Sequence, residues 1–124
     1  MSLRVRLRQA LPEAMRARDR AAVSALRATL AALDNAEAVP VDDRARAIET
    51  APVGVGARDV ARRELTEARV VEIVRAEARE RLDVAARLTG PAHTDRVARL
   101  RREAAVLLRL LDAAPPPDDA TATP

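Results

Sequence analysis

Phenylalanine, tyrosine and tryptophan are absent from this sequence, cysteine and lysine are absent too, and histidine occurs once. Each gap excludes something. Without aromatic rings the 48% hydrophobic content is almost wholly Ala, Val and Leu, so any core is aliphatic. Splayed bases of a single-stranded nucleic acid would find no ring to stack on, which argues against sequence reading of that kind. Without cysteine there are no disulfides and no thiolate chemistry. The lone His93 falls between two helical patterns with no second His, Cys or carboxylate cluster beside it, so it reads as a solvated turn residue and not as a base or metal ligand. Met1 to Arg6 does not lead into an unbroken apolar run, and no stretch approaches the length of a membrane span. The expectation is a cytoplasmic chain with no membrane partner.

What is present is mostly arginine and alanine. All 22 basic residues are Arg, while residues with AT-rich codons are scarce (Ile48, Ile73, Asn35), so a GC-rich genome is the first explanation for the arginines. A net charge of +3 is small against 33% charged residues. Its distribution is uneven: Arg4, Arg6, Arg8, Arg16, Arg18, Arg20 and Arg27 face only Glu13 and Asp19 within the first 27 residues. The chain of 124 residues suffices for one modest core and is too short for two ordinary domains.

The strongest pattern lies at Ser24–Glu37, SALRATLAALDNAE. Val23, Leu26, Leu30 and Leu33 recur in steps of three and four, and alanines fill the flanks, which predicts a helix that others can approach closely. Ahead of it, Ser2 is a natural N-cap for a helix over 3–18, with Pro12 inside predicting a kink near Arg8 to Leu11. Asp19 caps the second helix, over 20–38, and so short a connection predicts an antiparallel hairpin. From 39 to 64 the pattern breaks up around Pro40, Pro52 and Gly54-Val55-Gly56, with two short helical pieces conceivable at Asp43–Thr50 and Ala57–Glu64. Thr66 caps a third helix over 66–89, with an apolar stripe of Val70, Ile73 or Val74, Ala78, Leu82, Ala85 and Leu88. Its pairs Glu77–Arg81 and Asp83–Arg87 read as outer-face charges worth ~0.3 kcal/mol each. Gly90-Pro91 stops that helix. A fourth, over 94–112, carries Val97, Leu100, Ala104, Leu107, Leu108 and Leu111. The predicted fold is all-α: two antiparallel helical hairpins forming a small four-helix bundle (1–113), with an insertion between hairpins and a disordered Pro-rich tail (114–124).

The inventory for catalysis is thin. The only serines are Ser2, a cap, and Ser24, inside a helix. Asp42-Asp43 reads as a cap followed by a solvated acid in preference to a cation site. Pro52–Ala57 follows no predicted strand and lacks the Lys and Ser or Thr that complete a phosphate-cradling loop. No catalytic, cofactor-binding or metal-binding residue is assigned. The arginines offer the serious functional pattern: Arg4, Arg8, Arg16, Arg18, Arg20 and Arg27 form a candidate basic stripe for an RNA backbone, without DNA sequence recognition. Several of these side chains could instead pair with Glu13, Glu37 or Glu64, and on composition alone a solvated Arg face is the commoner arrangement.

Ala25-Leu26-Arg27 followed by Leu30, Leu33 and Asn35-Ala36-Glu37 resembles the second helix of the YqeY family, which is related to the tail region of the GatB subunit of the tRNA-dependent amidotransferase. The likeness continues through Ser2-Leu3, Leu7, Ala14-Met15 and Arg18-Asp19, and through Leu65-Thr66-Glu67, Val70 and Glu77. It covers roughly residues 2–38 and 65–112. The extra residues between about 39 and 64, and the lack of the second small helical domain of full-length members, depart from it. The resemblance implies a non-catalytic helical adaptor associated with tRNA, or with an amidotransferase or synthetase complex, and carbon–nitrogen ligase activity would belong to that complex. The alternative is a protein-interaction module without nucleic-acid affinity. Four amphipathic helices could also leave an apolar edge that self-associates.

Overall fold

The computed structural model describes residues 1–38 and 64–113; the expected short helices over 43–50 and 57–64 lie outside the described residues except for Glu64, which is not helical, and the expected disorder of 114–124 also lies outside them. Four α-helices make up almost all of what is described: α1 (Leu3–Arg16), α2 (Arg20–Ala38), α3 (Glu67–Arg87) and α4 (Thr94–Ala113). There is no strand among the described residues. The expected all-α class is therefore found.

The helix starts follow from side-chain caps. The Val5 N–H donates to Ser2 Oγ at 3.2 Å, the Ala22 N–H to Asp19 Oδ1 at 3.0 Å, and the Arg69 N–H to Thr66 Oγ1 at 3.0 Å, each satisfying a backbone donor that the first helical turn leaves unpaired. α1 runs through Pro12 and ends at Arg16, two residues earlier than the apolar pattern suggests. The reason is the reversal that follows. The Arg18 N–H donates to the Met15 carbonyl at 3.1 Å and the Asp19 N–H to the Ala14 carbonyl at 3.0 Å, with Arg18 in the left-handed region at φ 56°. This pair of bonds closes the helix and frees Asp19 to cap the next one. At the other reversal Gly90 takes φ 95°, and Pro91–His93 form a single 3-10 turn leading into α4.

Each helix packs against the other three, most extensively α3 on α4, then α1 on α2 and α2 on α4. The buried face of α2 is Ala22, Ala25, Leu26, Thr29, Leu33 and Glu37, while Val23 and Leu30 are only half-buried. The core-facing side is thus rotated from the stripe of larger residues toward the small ones, because alanine and threonine let three neighbours approach where leucines would hold them apart. Leu3, Leu7, Leu26, Leu33, Val74 and Leu107 are the large side chains sealed completely from solvent. In α3, Val70, Ile73, Val74, Ala78 and Ala85 are buried as expected, but Leu82 is 40% exposed. The inward position beside it is taken by Arg81, whose guanidinium bonds across to α4. In α4, Ala104 and Leu107 are buried, Leu108 is exposed, and Glu103 is an unexpected member of the buried face.

Three contacts place the helix ends. Arg4 at the start of α1 meets Glu37 at the end of α2, the Leu3 N–H donates to Glu67 Oε2 at 2.9 Å, and Arg6 Nη1 donates to the Ala113 carbonyl at 3.0 Å. The first of these fixes α1 and α2 as antiparallel. The second puts a carboxylate from the first turn of α3 on an otherwise unpaired donor of α1, and the third puts a cation on the last turn of α4, both favourable to the helix dipoles.

Thr29 is fully buried and its Oγ1 has no hydrogen-bond partner among the described residues. An unmatched buried hydroxyl costs about 1–3 kcal/mol, whereas the near-isosteric valine has none to lose. Thr29→Val is expected to raise the stability to urea by ~1 kcal/mol, while Leu33→Ala on the same helix lowers it by ~2–5 kcal/mol through the cavity it opens. An unchanged or lowered midpoint for Thr29→Val would mean that the hydroxyl has a partner.

Candidate nucleic-acid interface

The six arginines expected to face RNA divide into two groups. Arg4 is committed within the fold: its Nη1 lies 2.6 Å from Glu37 Oε2, and its Nη2 is 3.0 Å from Glu37 Oε1 and 3.1 Å from Asp34 Oδ1. Its side chain is only 17% exposed. The hydrogen bond to Glu37 is the strongest influence on its guanidinium and, against a smaller effect of burial, raises its pKa above the ordinary value. Two parallel N–H···O bonds to one carboxylate make this a positioned pair that clasps α1 to α2, and not a free cation.

Arg8, Arg16, Arg18, Arg20 and Arg27 are exposed. None of these five makes an ion pair or side-chain hydrogen bond with another described residue. Around the α1–α2 reversal Arg18, Arg20 and Arg27 contribute to two shallow depressions. The first, 400 Å³, is lined by Arg18, Arg20 and Arg27 with Met15 and Val23 between them. The second, 340 Å³, is lined by Arg18, Asp19, Arg20 and Ala21 together with Arg99 and Arg102 of α4. Arg18 and Arg20 belong to both. Arg8 and Arg16 stand on α1 outside either lining.

Arg99 and Arg102 are residues that the sequence reading missed. They are some 80 positions from Arg18 and Arg20 along the chain, and only the packing of α4 on α2 unites them. The available signal was their three-residue spacing near the start of α4, which puts both on one face. Arg99 is also held from below. Its Nε lies 3.3 Å from Glu103 Oε2, and the other oxygen of Glu103, Oε1, accepts from Arg81 Nε at 2.8 Å. Arg81 in turn donates from Nη1 to Glu77 Oε1 at 3.0 Å and to the Glu77 carbonyl at 2.9 Å. Glu103 is only 7% exposed. Glu77–Arg81, expected to be outer-face decoration, is therefore part of an interhelical chain Glu77–Arg81–Glu103–Arg99, whereas Asp83 and Arg87 form no ion pair among the described residues. Burial disfavours the Arg81 cation, yet the bonds to Glu103 and Glu77 outweigh it and raise its pKa above the ordinary value. For a base with a raised pKa the stabilisation is complete below the unfolded value, so neither Arg4 nor Arg81 weakens the fold except in strong alkali.

Among the described residues no group of three or more His, Asp or Glu could hold a metal ion, and no helix is long and apolar enough to cross a membrane. His93 is exposed beside the 3-10 turn. No family model matches the chain, and no curated protein or solved structure matches it.

Removing Arg81 leaves Glu103 buried with only the longer contact to Arg99. Arg81→Leu is expected to cost ~2–3 kcal/mol, the range for hydrogen bonds to charged groups, whereas Arg8→Leu on the exposed face of α1 stays within about 0.5 kcal/mol. Urea midpoints of the two variants measure this directly. Equal values would show that the network contributes nothing to the fold.

Proposed function

We propose that this chain is a non-catalytic adaptor, a small four-helix bundle of two antiparallel hairpins, that engages tRNA or a tRNA-dependent amidotransferase complex through the arginines of its N-terminal hairpin. The observation that carries the reading is the contrast among those arginines. Where a carboxylate is within reach, as for Arg4, the guanidinium is paired; at Arg8, Arg16, Arg18, Arg20 and Arg27 the positive charge is left exposed and uncompensated by any described residue. Such charge attracts a phosphodiester backbone by releasing its counterions, which requires no aromatic stacking. The resemblance of residues 2–38 and 65–112 to the YqeY and GatB-tail group gives the polyanion a specific identity. Contact with backbone and shape, and not with base sequence, is the mode that an arginine-rich, ring-free surface supports.

Fluorescence anisotropy of labelled total tRNA, at low and near-physiological salt beside a duplex DNA control, tests the reading. Micromolar or tighter binding that prefers tRNA is expected. The combined variant Arg16→Glu, Arg20→Glu, Arg27→Glu is expected to weaken it at least tenfold and to flatten the slope of log K against log salt by about 2–3. No binding, or binding indifferent to tRNA over DNA, would overturn the RNA role and leave the protein-interaction module as the reading to pursue.

A further inference from the structure

The depression between the α1–α2 reversal and the first half of α4 is lined by four arginines, Arg18, Arg20, Arg99 and Arg102, around one space of 340 Å³. The one carboxylate in the lining, Asp19, is turned to backbone duty, its Oδ1 accepting from the Ala22 N–H. Four like charges from two remote parts of the chain repel one another, and folding brings them together without a neutralising acid in the lining beyond Asp19. Two features hold them there. Arg99 is tethered through Nε to the buried Glu103, itself fixed by Arg81, which leaves the two terminal amino groups of Arg99 uncommitted. Arg18 occupies the left-handed position that closes α1, a place where glycine is the conformationally easy choice and a side chain is retained at a cost. A residue that breaks a local preference at the rim of a charged depression points to use of its side chain.

We infer that this depression is a phosphate-binding clamp. Arg18 and Arg20 grip from the reversal, and Arg99 and Arg102 grip from α4. The planar fork of guanidinium suits a tetrahedral oxyanion, to which it can present paired N–H donors, and four such forks can surround the oxygens of a phosphate, singly charged in a diester and doubly charged in a monoester. Glu103 acts as a positioning residue by orienting Arg99 and does not touch the ligand. The phosphate is either part of a polynucleotide backbone or carried by a small phosphorylated molecule. The clamp rests on the preceding reading only in the first case.

The test uses the full chain labelled with 15N, observing the arginine Nε–H resonances while inorganic phosphate is added at constant ionic strength, with chloride as the control anion. The four clamp resonances are expected to shift together and to saturate in the low-millimolar range, with Arg8 and Arg16 unmoved. Arg99→Gln with Arg102→Gln is expected to abolish the saturable shift of Arg18 and Arg20. Arg18→Gly is the second variant, because relief of the left-handed residue raises Tm while the loss of one guanidinium weakens phosphate binding severalfold, so a loss of binding cannot be ascribed to unfolding. A parallel titration with a short unlabelled RNA separates the sources: clamp resonances that move with RNA at lower concentration than with phosphate assign a backbone, and those that move with phosphate alone assign a small phosphorylated ligand and remove the RNA role. Linear, unsaturated shifts with phosphate, equal to those with chloride, would overturn the clamp even if RNA still bound through Arg8, Arg16 or Arg27.

Discussion

Burial of an aliphatic core between four helices that all touch one another is the constraint on which the structure depends, and α2 meets it with small residues on its buried face. An aliphatic core with no aromatic side chain has little volume per residue to fill, so the helices must come near one another for their leucines to meet. Ala22, Ala25 and Thr29 permit that approach, and Leu26 and Leu33 on the same helix fill the space between. The cost of the arrangement is visible at Thr29, where a polar atom is enclosed without a partner among the described residues. A face built to be small is also a face on which any enlargement is felt on three sides at once.

Around this core, charge is sorted into two kinds of arginine. Arg4 and Arg81 lie at helix–helix boundaries with carboxylates on two sides, and they act as clasps. The arginines of the α1–α2 reversal and its flanks have no such partners among the described residues. The two kinds are connected at Arg99, where the interhelical chain reaches the surface and fixes one guanidinium of an otherwise open cluster. In this way an interaction that holds α3 to α4 also determines the shape of the charged depression beside α2.

Most of the fold was legible in the sequence because its signals are local. Caps at Ser2, Asp19 and Thr66, the stop at Gly90-Pro91 and the three-and-four spacing of apolar residues each act within a turn or two, and the helices begin within a residue of where those signals place them. What was illegible depends on partners distant in sequence. That Arg81 displaces Leu82 from the inner face is decided by Glu103, and that Arg4 is unavailable to a ligand is decided by Glu37. Spacing along one helix cannot distinguish an exposed arginine from one that waits for an acid on another helix. The candidate site shows the same division, since Arg18, Arg20 and Arg27 were found from local charge while Arg99 and Arg102 required the tertiary arrangement.

The contacts at the start of α1 carry a topological consequence. Arg4 with Glu37, Leu3 with Glu67 and Arg6 with Ala113 gather the beginning of α1, the end of α2, the beginning of α3 and the end of α4 at one pole of the molecule. The two tight reversals occupy the opposite pole, and the arginine depressions lie there. The connection between α2 and α3, the start of α1 and the end of α4 are therefore attached at the pole remote from those arginines. For the same reason the chain is suited to circular permutation, with α4 joined to α1 by a short linker and new ends opened between α2 and α3.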